Sequence, residues 1–248
     1  MIRGLALLLV AVSVGAAAPR SGYTDASPAV RAMQDDDAAN PGFLWVQQGE
    51  ALWADAAVPS GASCQSCHGP APSMRGVSAR YPRFDAGRGR PMTLEQQIEL
   101  CRTERQGAPA FAPESEELLA VSAFVGSQSR GLPMAVDISG PAAAAAAHGE
   151  ALFRTRMGQL NLSCAQCHDD LAGQRLGGAR IPQGQPNGYP LYRLEWQGMG
   201  SLDRRLRNCL TGVRAEPLAP DSSDMAALQF FLGWRANGLR VETPGVRP

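Results

Sequence analysis

The chain has 248 residues, a formal net charge of zero and 6% aromatic residues. All of its basic residues are arginines, and they form no continuous basic run. This composition argues against a nucleic-acid-binding protein, which is expected to combine a basic surface with interleaved aromatic side chains. The length is sufficient for two small domains or one large one.

The first residues have the pattern of a cleavable export signal. Arg3 supplies the positive charge, residues 5–14 are mostly apolar, and the alanines at 16–18 are small residues suited to cleavage. The apolar run is shorter than a membrane span, and no later segment is long and apolar enough to be one. We therefore expect a signal peptide over residues 1–18, with a buried N-terminal helix as the alternative, and a loosely ordered N-terminal arm over residues 19–42.

Three helices are predicted in the first half of the chain. Residues 43–56 carry apolar side chains at helical spacing. Thr93 is a favourable N-cap with an acidic residue soon after it, so a second helix is expected to begin there. A third helix is expected over residues 114–127, ending near Gly131. The intervening residues 74–91 are rich in Gly, Pro and Arg, which is typical of a loop.

A Cys-x-x-Cys-His motif follows the first helix, at Cys64–His68, and a second one occurs at Cys164–His168. This spacing is typical of covalent haem attachment, in which the cysteines form thioethers and the histidine is the proximal iron ligand. A zinc site would need a closed set of N and S ligands, and the third histidine, His148, is isolated. A thioredoxin-like motif would lie near a βαβ pattern. The sequence therefore predicts two covalently bound haem c groups, attached through Cys64, Cys67, Cys164 and Cys167, with His68 and His168 as iron ligands.

The second half of the chain repeats the first in the same order. Gly149–Phe153 corresponds to Gly49–Trp53, and each stretch is followed by Ser-Cys-x-x-Cys-His. The repeat predicts a mainly α fold of two tandem cytochrome c-like domains that arose by internal duplication, each wrapped around one covalent c-type haem. We expect domain 1 to cover residues 43–137 and domain 2 to cover residues 138–248.

Domain 2 contains the same predicted elements as domain 1. After a linker over residues 132–141, the alanines at 142–147 favour a helix that runs into the next repeat. Residues 173–190 have the composition of a loop. Ser201 is expected to open the middle helix, and residues 223–237 are expected to form the last one.

Two cysteines remain outside the motifs, Cys101 and Cys209, at the same place in equivalent helices. One interpretation is a disulfide in an oxidising compartment; the other is that each is the distal iron ligand in its own domain. The matched positions favour the second, since a bridge between domains is not a feature that each repeat needs for itself. Met92 and Met199, just before the same helices, are the alternative distal ligands. A thiolate ligand lowers the reduction potential, so it points to chemistry at the cysteine rather than to general electron transfer.

Arg205 lies four residues before Cys209, so the two share one face of a helix. A guanidinium there can hold an oxyanion through a bidentate fork, although an arginine-rich solvated face is the alternative. The equivalent residue in domain 1 is Gln97. This difference suggests that the haem of domain 2 is catalytic and that the haem of domain 1 is structural or relays electrons.

These features resemble the SoxA family, the dihaem subunits of the SoxAX cytochromes of bacterial thiosulfate oxidation. The resemblance covers essentially the whole mature chain and rests on both motifs, both distal cysteines and residues 205–209. It implies that His68 and Cys101 are the axial ligands of haem 1, and that His168 and Cys209 are those of haem 2. It also implies that Cys209 is the catalytic, persulfide-bearing cysteine and that Arg205 binds the substrate.

The resemblance implies an L-cysteine S-thiosulfotransferase that oxidatively conjugates thiosulfate to the carrier cysteine of SoxYZ. Its expected partners are a SoxX-type monohaem cytochrome and a downstream acceptor cytochrome, and its expected location is the periplasm. Two alternatives remain: a thiosulfate dehydrogenase that forms tetrathionate, and a plain dihaem electron-transfer cytochrome. A haem peroxidase is less consistent with the sequence, because it needs an open distal position.

Overall fold

The computed structural model describes residues 18–56 and 61–248. Apart from Ala18, the predicted signal peptide lies outside the described residues. Among the helices in the described part of the chain, none combines the length and the hydropathy that a membrane crossing requires.

The described residues form eight α-helices and seven short strands. The helices are α1 (Pro28–Asp35), α2 (Phe43–Ala54), α3 (Cys64–His68), α4 (Leu94–Leu100), α5 (Glu116–Ser127), α6 (Ala143–Arg154), α7 (Leu202–Gly212) and α8 (Ser223–Arg235). The strands are β1 (Arg83–Asp85), β2 (Arg90–Met92), β3 (Arg175–Leu176), β4 (Ala179–Arg180), β5 (Leu191–Arg193), β6 (Gly198–Gly200) and β7 (Gly245–Arg247). The predicted mainly α architecture is confirmed.

The same helix pair forms the centre of each domain, α2 against α5 and α6 against α8. In both pairs a glycine lets the backbones touch. A Cβ atom at Gly49 would lie 2.1 Å from the carbonyl oxygen of Ala120, and one at Gly149 would lie 2.1 Å from that of Ala227. No larger side chain fits at these crossings, because the neighbouring atom is backbone and cannot move aside. The repeated glycine in the sequence therefore corresponds to a repeated close helix contact.

Each domain also has an antiparallel hairpin just before the helix that carries the leftover cysteine. In β1–β2, Arg83 pairs with Met92, and in β5–β6, Leu191 pairs with Gly200. Met92 is therefore equivalent to Gly200 and not to Met199. Both methionines lie just before the capped helices, as expected, but they are offset by one residue, which in a strand places them on opposite faces.

The N-terminal arm over residues 19–42 is ordered, so the expectation of a loose arm is wrong. Ser27 caps α1, its Oγ accepting a hydrogen bond from the Val30 amide at 3.3 Å. The side chain of Gln34 accepts a hydrogen bond from the Val246 amide of β7 at 2.9 Å. Val30 and Val246 share one small apolar cluster. The arm precedes domain 1 in sequence but packs on the C-terminal strand, a long-range contact that local patterns do not encode.

The predicted linker over residues 132–141 is also packed rather than free. The Met134 amide donates to the Leu239 carbonyl, and the Val241 amide donates to the Leu132 carbonyl, both at 2.8 Å. Met134 and Val136 are buried in the same cluster as Phe230 of α8. The connection between the repeats therefore forms part of the core of domain 2, while the exact domain limits remain a prediction.

The two domains meet where α4 and α7 begin, around a cleft of about 490 Å³. Its walls carry one arginine, Arg90, and five carboxylates: Glu95, Glu99, Glu114, Asp203 and Asp221. Burial and the negative charge of Glu114 raise the pKa of Asp203, Arg207 acts in the opposite direction, and the resulting pKa is about 6.

We expect Asp203→Asn to stabilise the protein at pH 7 but not at pH 4. The carboxyl of Asp203 has a pKa near 3.9 in an unfolded chain, so the folded chain binds its proton more tightly. The stability that the protonated carboxyl of Asp203 contributes is fully present below about pH 4 and is lost as the pH rises through about 6. After allowance for solvent screening, the gain in the free energy of unfolding is about 1 kcal/mol at pH 7. Denaturant unfolding of the variant and the unmodified protein at pH 7 and pH 4 measures the difference in the free energy of unfolding. An equal difference at the two pH values would contradict the prediction.

Candidate functional site

Each domain contains one large cavity beside its Cys-x-x-Cys-His motif. The domain 1 cavity has a volume of about 780 Å³ and the domain 2 cavity about 870 Å³. The domain 1 cavity is lined by the predicted haem residues Cys64, Cys67, His68 and Cys101. The domain 2 cavity is lined by Cys164, His168 and Cys209, but the fourth predicted attachment residue, Cys167, is half-buried and is not part of its wall.

These residues suit a covalently attached haem. The domain 1 cavity brings together two motif thiols, an imidazole and the sulfur of a further cysteine, and the domain 2 cavity brings together one motif thiol, an imidazole and the sulfur of a further cysteine. Most of the wall surface is apolar in both, as a haem pocket requires. Trp53 forms part of the wall in domain 1, and Phe153, its counterpart in the repeat, does so in domain 2. The donor set and the shape therefore fit the predicted group in both domains.

A capped turn positions the cysteines of each motif. In domain 1, Ser63 and Ser66 exchange hydrogen bonds through their side chains and amides, each at 3.0 Å. In domain 2, the Gln166 amide donates to Ser163 Oγ at 3.2 Å, and its side chain accepts from the Ser163 amide at 2.9 Å. This reciprocal cap holds the turn that carries the two thiols.

A hydrogen bond to a backbone carbonyl orients the imidazole of His168. Its Nδ1 lies 2.7 Å from the carbonyl oxygen of Pro182, which accepts the Nδ1 proton and leaves Nε2 available for a metal. Burial lowers the pKa of His168, and the positive charges of Arg235 and Arg205 lower it further. The ring is therefore neutral at pH 7, as a ligand must be.

The structure separates the leftover cysteines and places each at a cavity. Cys101 begins a wide helical turn at the end of α4, and Cys209 lies inside α7. All six cysteines fall in the described residues and none forms a disulfide. Met92 and Met199 are 0% and 3% exposed and line neither cavity. This arrangement suits a distal ligand role for the cysteines better than for the methionines.

The domain 2 cavity is strongly basic. Among the described residues, only one acidic side chain lines it, that of Asp25. Five arginines line it: Arg175, Arg180, Arg193, Arg205 and Arg247. Glu195 lies on the turn after β5, and its Oε1 is 2.8 Å from Arg193 Nε and 3.7 Å from Arg205 Nη1. The two guanidiniums therefore lie near the same carboxylate and both line the cavity. Two neighbouring guanidiniums are suited to binding a small dianion.

Of these arginines, only Arg205 was predicted from the sequence. Arg193 comes from β5 and Arg247 from β7, and the two strands pair in parallel. The side chains therefore meet through a long-range contact. One signal was available for Arg193: the repeat places Asp85 at the equivalent position of domain 1, a reversal of charge between the copies.

Domain 1 has a neutral amide where domain 2 has Arg205. Gln97 Nε2 donates to Cys101 Sγ at 3.5 Å, and Gln97 Oε1 accepts from Arg83 at 3.0 Å. Arginines also line this cavity, but Arg102 donates to a backbone carbonyl at 2.6 Å and stacks over Phe111 at 3.7 Å. The sulfur of Cys101 thus has an amide neighbour, and the sulfur of Cys209 lies one helical turn from a guanidinium.

Comparison with known proteins gives consistent results. The family described as SoxA/TsdA, cytochrome c domain, matches residues 48–134 and again residues 148–241. The two matches confirm the predicted duplication of cytochrome c-like domains. Membership of a cytochrome c family implies covalently attached haem c.

Proteins named L-cysteine S-thiosulfotransferase subunit SoxA are similar along most of this chain. The one from Pseudaminobacter salicylatoxidans is 40% identical over 92% of this chain and 80% of its own length. The one from Paracoccus pantotrophus is 38% identical over 92% of this chain and 78% of its own length. A chain in the crystal structure of SoxXA from P. pantotrophus superposes with a TM-score of 0.89 and 38% identity, over 93% of this chain and 87% of that one.

Proposed function

The chain belongs to the SoxA family of c-type cytochromes, and on this basis we propose that it is the thiosulfate-conjugating subunit of an L-cysteine S-thiosulfotransferase. Its proposed partner is a monohaem cytochrome of the SoxX type, in line with the SoxXA assembly that it resembles. Its proposed second substrate is the carrier cysteine of SoxYZ, with a downstream cytochrome as electron acceptor. The export signal predicted at the N-terminus supports a periplasmic location.

The observation that carries the proposal is the difference between the two cavities. Both bring a Cys-x-x-Cys-His motif and a further cysteine to one space, but only in domain 2 does an arginine stand four residues before that cysteine. Arg205 and Arg193 face that cavity together. A plain electron carrier has no need for this asymmetry.

The residues in hand define how haem would be held. Cys64 and Cys67 would attach one haem, and Cys164 and Cys167 the other. His68 and Cys101 would bind the iron of the first, and His168 and Cys209 the iron of the second. When bound, haem c would supply a one-electron acceptor, and so a route for electrons out of the site.

The reaction joins two sulfur atoms. A carrier thiol and thiosulfate give a carrier S-thiosulfonate with a new S–S bond, one proton and two electrons. Arg205 and Arg193 bind the sulfonate oxygens through charge-assisted hydrogen bonds, and Glu195 lies within ion-pair distance of both guanidiniums. Thiosulfate adds to the outer sulfur of a persulfide on Cys209 with loss of two electrons to the downstream acceptor. The carrier thiolate then attacks the sulfur that came from thiosulfate, which breaks the bond to the persulfide, releases the carrier S-thiosulfonate and restores the persulfide on Cys209.

We expect thiosulfate consumption to depend on the carrier protein. With the purified complex, oxidised cytochrome c and thiosulfate, the carrier should gain the mass of one thiosulfonate for every two electrons transferred. Mass spectrometry of the carrier and absorbance of the acceptor measure the two quantities. Tetrathionate formed at the same rate with the carrier omitted, or with its cysteine changed to serine, would instead identify a thiosulfate dehydrogenase.

A further inference from the structure

Each domain places one acidic side chain against the helix that carries the other domain's leftover cysteine. Glu114 and Asp221 occupy equivalent positions, directly before the N-cap residues of α5 and α8, and both have positive φ angles, 61° and 59°. Non-glycine residues adopt this conformation at a cost in backbone strain, so such a pair indicates a constraint that the surrounding structure imposes.

The two contacts differ in what they bind. The carboxylate of Glu114 accepts hydrogen bonds from the Ser201 amide at 3.3 Å and from the Ser201 hydroxyl. Asp221 Oδ1 accepts a hydrogen bond from the side chain of Gln96 at 3.0 Å. Glu114 therefore reaches the N-cap residue of α7 itself, whereas Asp221 reaches only a side chain in the first turn of α4.

This difference follows from the sequences of the two helices. In α4 the N-cap Thr93 and Gln96 form a complete capping box, and Gln96 Oε1 accepts from the Thr93 amide at 3.1 Å. The equivalent of Gln96 in α7 is Arg204, which has no acceptor atom. Its guanidinium lies 4.3 Å from the ring centre of Trp196. Helix α7 thus lacks half of its own capping box.

We propose that Glu114 of domain 1 supplies the missing half of this capping box and is a positioning residue for the candidate site of domain 2. Ser201 is 5% exposed, so its amide needs a partner from the protein. The Ser201 carbonyl in turn accepts from the Arg205 amide at 3.3 Å, and Cys209 lies one turn further along. The position of Ser201 therefore sets the positions of the substrate arginine and the distal sulfur.

The proposal gives domain 1 a role that does not depend on its haem. Domain 2 would not hold its site in the productive geometry without a side chain from domain 1, which provides a physical reason for the two repeats to remain in one chain. Its consequence for turnover rests on the proposed function, but the state of α7 is measured independently of any activity.

The test compares variants at Glu114 in the complete, haem-loaded protein. Glu114→Ala should raise amide hydrogen exchange in a peptide covering residues 198–210 by roughly five- to tenfold, shift the electron paramagnetic resonance signal of one ferric haem, and raise KM for thiosulfate more than it lowers kcat. Glu114→Gln keeps an acceptor oxygen and should retain most of the wild-type behaviour. The mirror variant, Asp221→Ala, should leave exchange in α7 unchanged, because it removes no cap from that helix.

A second-site variant makes the test specific. Arg204→Gln in the Glu114→Ala background gives α7 the capping box that α4 already has, and should restore slow exchange in residues 198–210. If Glu114→Ala does not fold, recovery of folding in the double variant supports the proposal and failure to recover overturns it. Unchanged exchange in Glu114→Ala, or an equal rise in Asp221→Ala, also overturns it. If the unmodified protein does not conjugate thiosulfate to the carrier, the proposed function is refuted but the capping proposal is not, because amide hydrogen exchange is measured without substrate.

Discussion

Cys209→Ser is expected to reduce thiosulfate conjugation by at least about 10³-fold, because loss of a covalent catalyst removes a whole reaction path. Cys209 is the only non-motif cysteine at the domain 2 cavity, and Arg205 lies one helical turn away. A serine hydroxyl fits the same space but cannot carry a second sulfur through thiol–disulfide exchange. The rate of carrier modification, measured by mass spectrometry, gives the size of the loss.

The matched comparison is Cys101→Ser in domain 1. It makes the same atomic change in the equivalent helix, where Gln97 and not an arginine neighbours the sulfur. We expect it to alter the distal ligation of one haem while turnover stays measurable. Equal losses in the two variants would contradict a specific role for Cys209. The mass of the peptide that contains Cys209 adds an independent result, since one extra sulfur atom in the unmodified protein identifies a persulfide.

The features predicted correctly from the sequence are those with local causes. The haem motifs have a fixed spacing. The side chains of Thr93 and Ser201 cap their helices by accepting hydrogen bonds from amides three residues further along the chain. The duplication is visible because each helix pair needs its glycine at the same crossing. A local pattern of this kind appears in the residue order itself, so no tertiary structure is needed to recognise it.

The features that were missed depend on contacts between distant parts of the chain. The arm is ordered because Gln34 bonds to β7, more than two hundred residues away. Arg193 and Arg247 converge only because β5 and β7 pair. The incomplete cap of α7 was visible as Arg204 in place of Gln96, but its replacement by Glu114 follows from the packing of one domain on the other. Neither spacing nor periodicity encodes such contacts.

Arg205→Gln is expected to lower kcat/KM for thiosulfate by about 10²-fold. The substitution gives domain 2 the residue that domain 1 carries at Gln97, so it tests the difference between the repeats directly. A charge-assisted hydrogen bond to a desolvated anion contributes up to about 3 kcal/mol, which corresponds to about 10²-fold in rate. Arg193 stays in the cavity wall, so binding should weaken without disappearing. Steady-state kinetics at saturating carrier measures the change.

The control for this variant is Arg207→Gln, which removes the same charge from the same helix. Arg207 is exposed and is not part of the cavity wall, so its loss alters the net charge without altering the site. If the arginines of α7 act only through a general positive field, the two variants should lose the same activity, and raised ionic strength should weaken the unmodified enzyme to a similar degree. If Arg205 holds the substrate, its variant alone loses the 10²-fold, and the absorbance spectra of both haems stay unchanged because neither side chain is a proposed ligand. The comparison thus separates direct recognition of thiosulfate from electrostatic attraction at a distance.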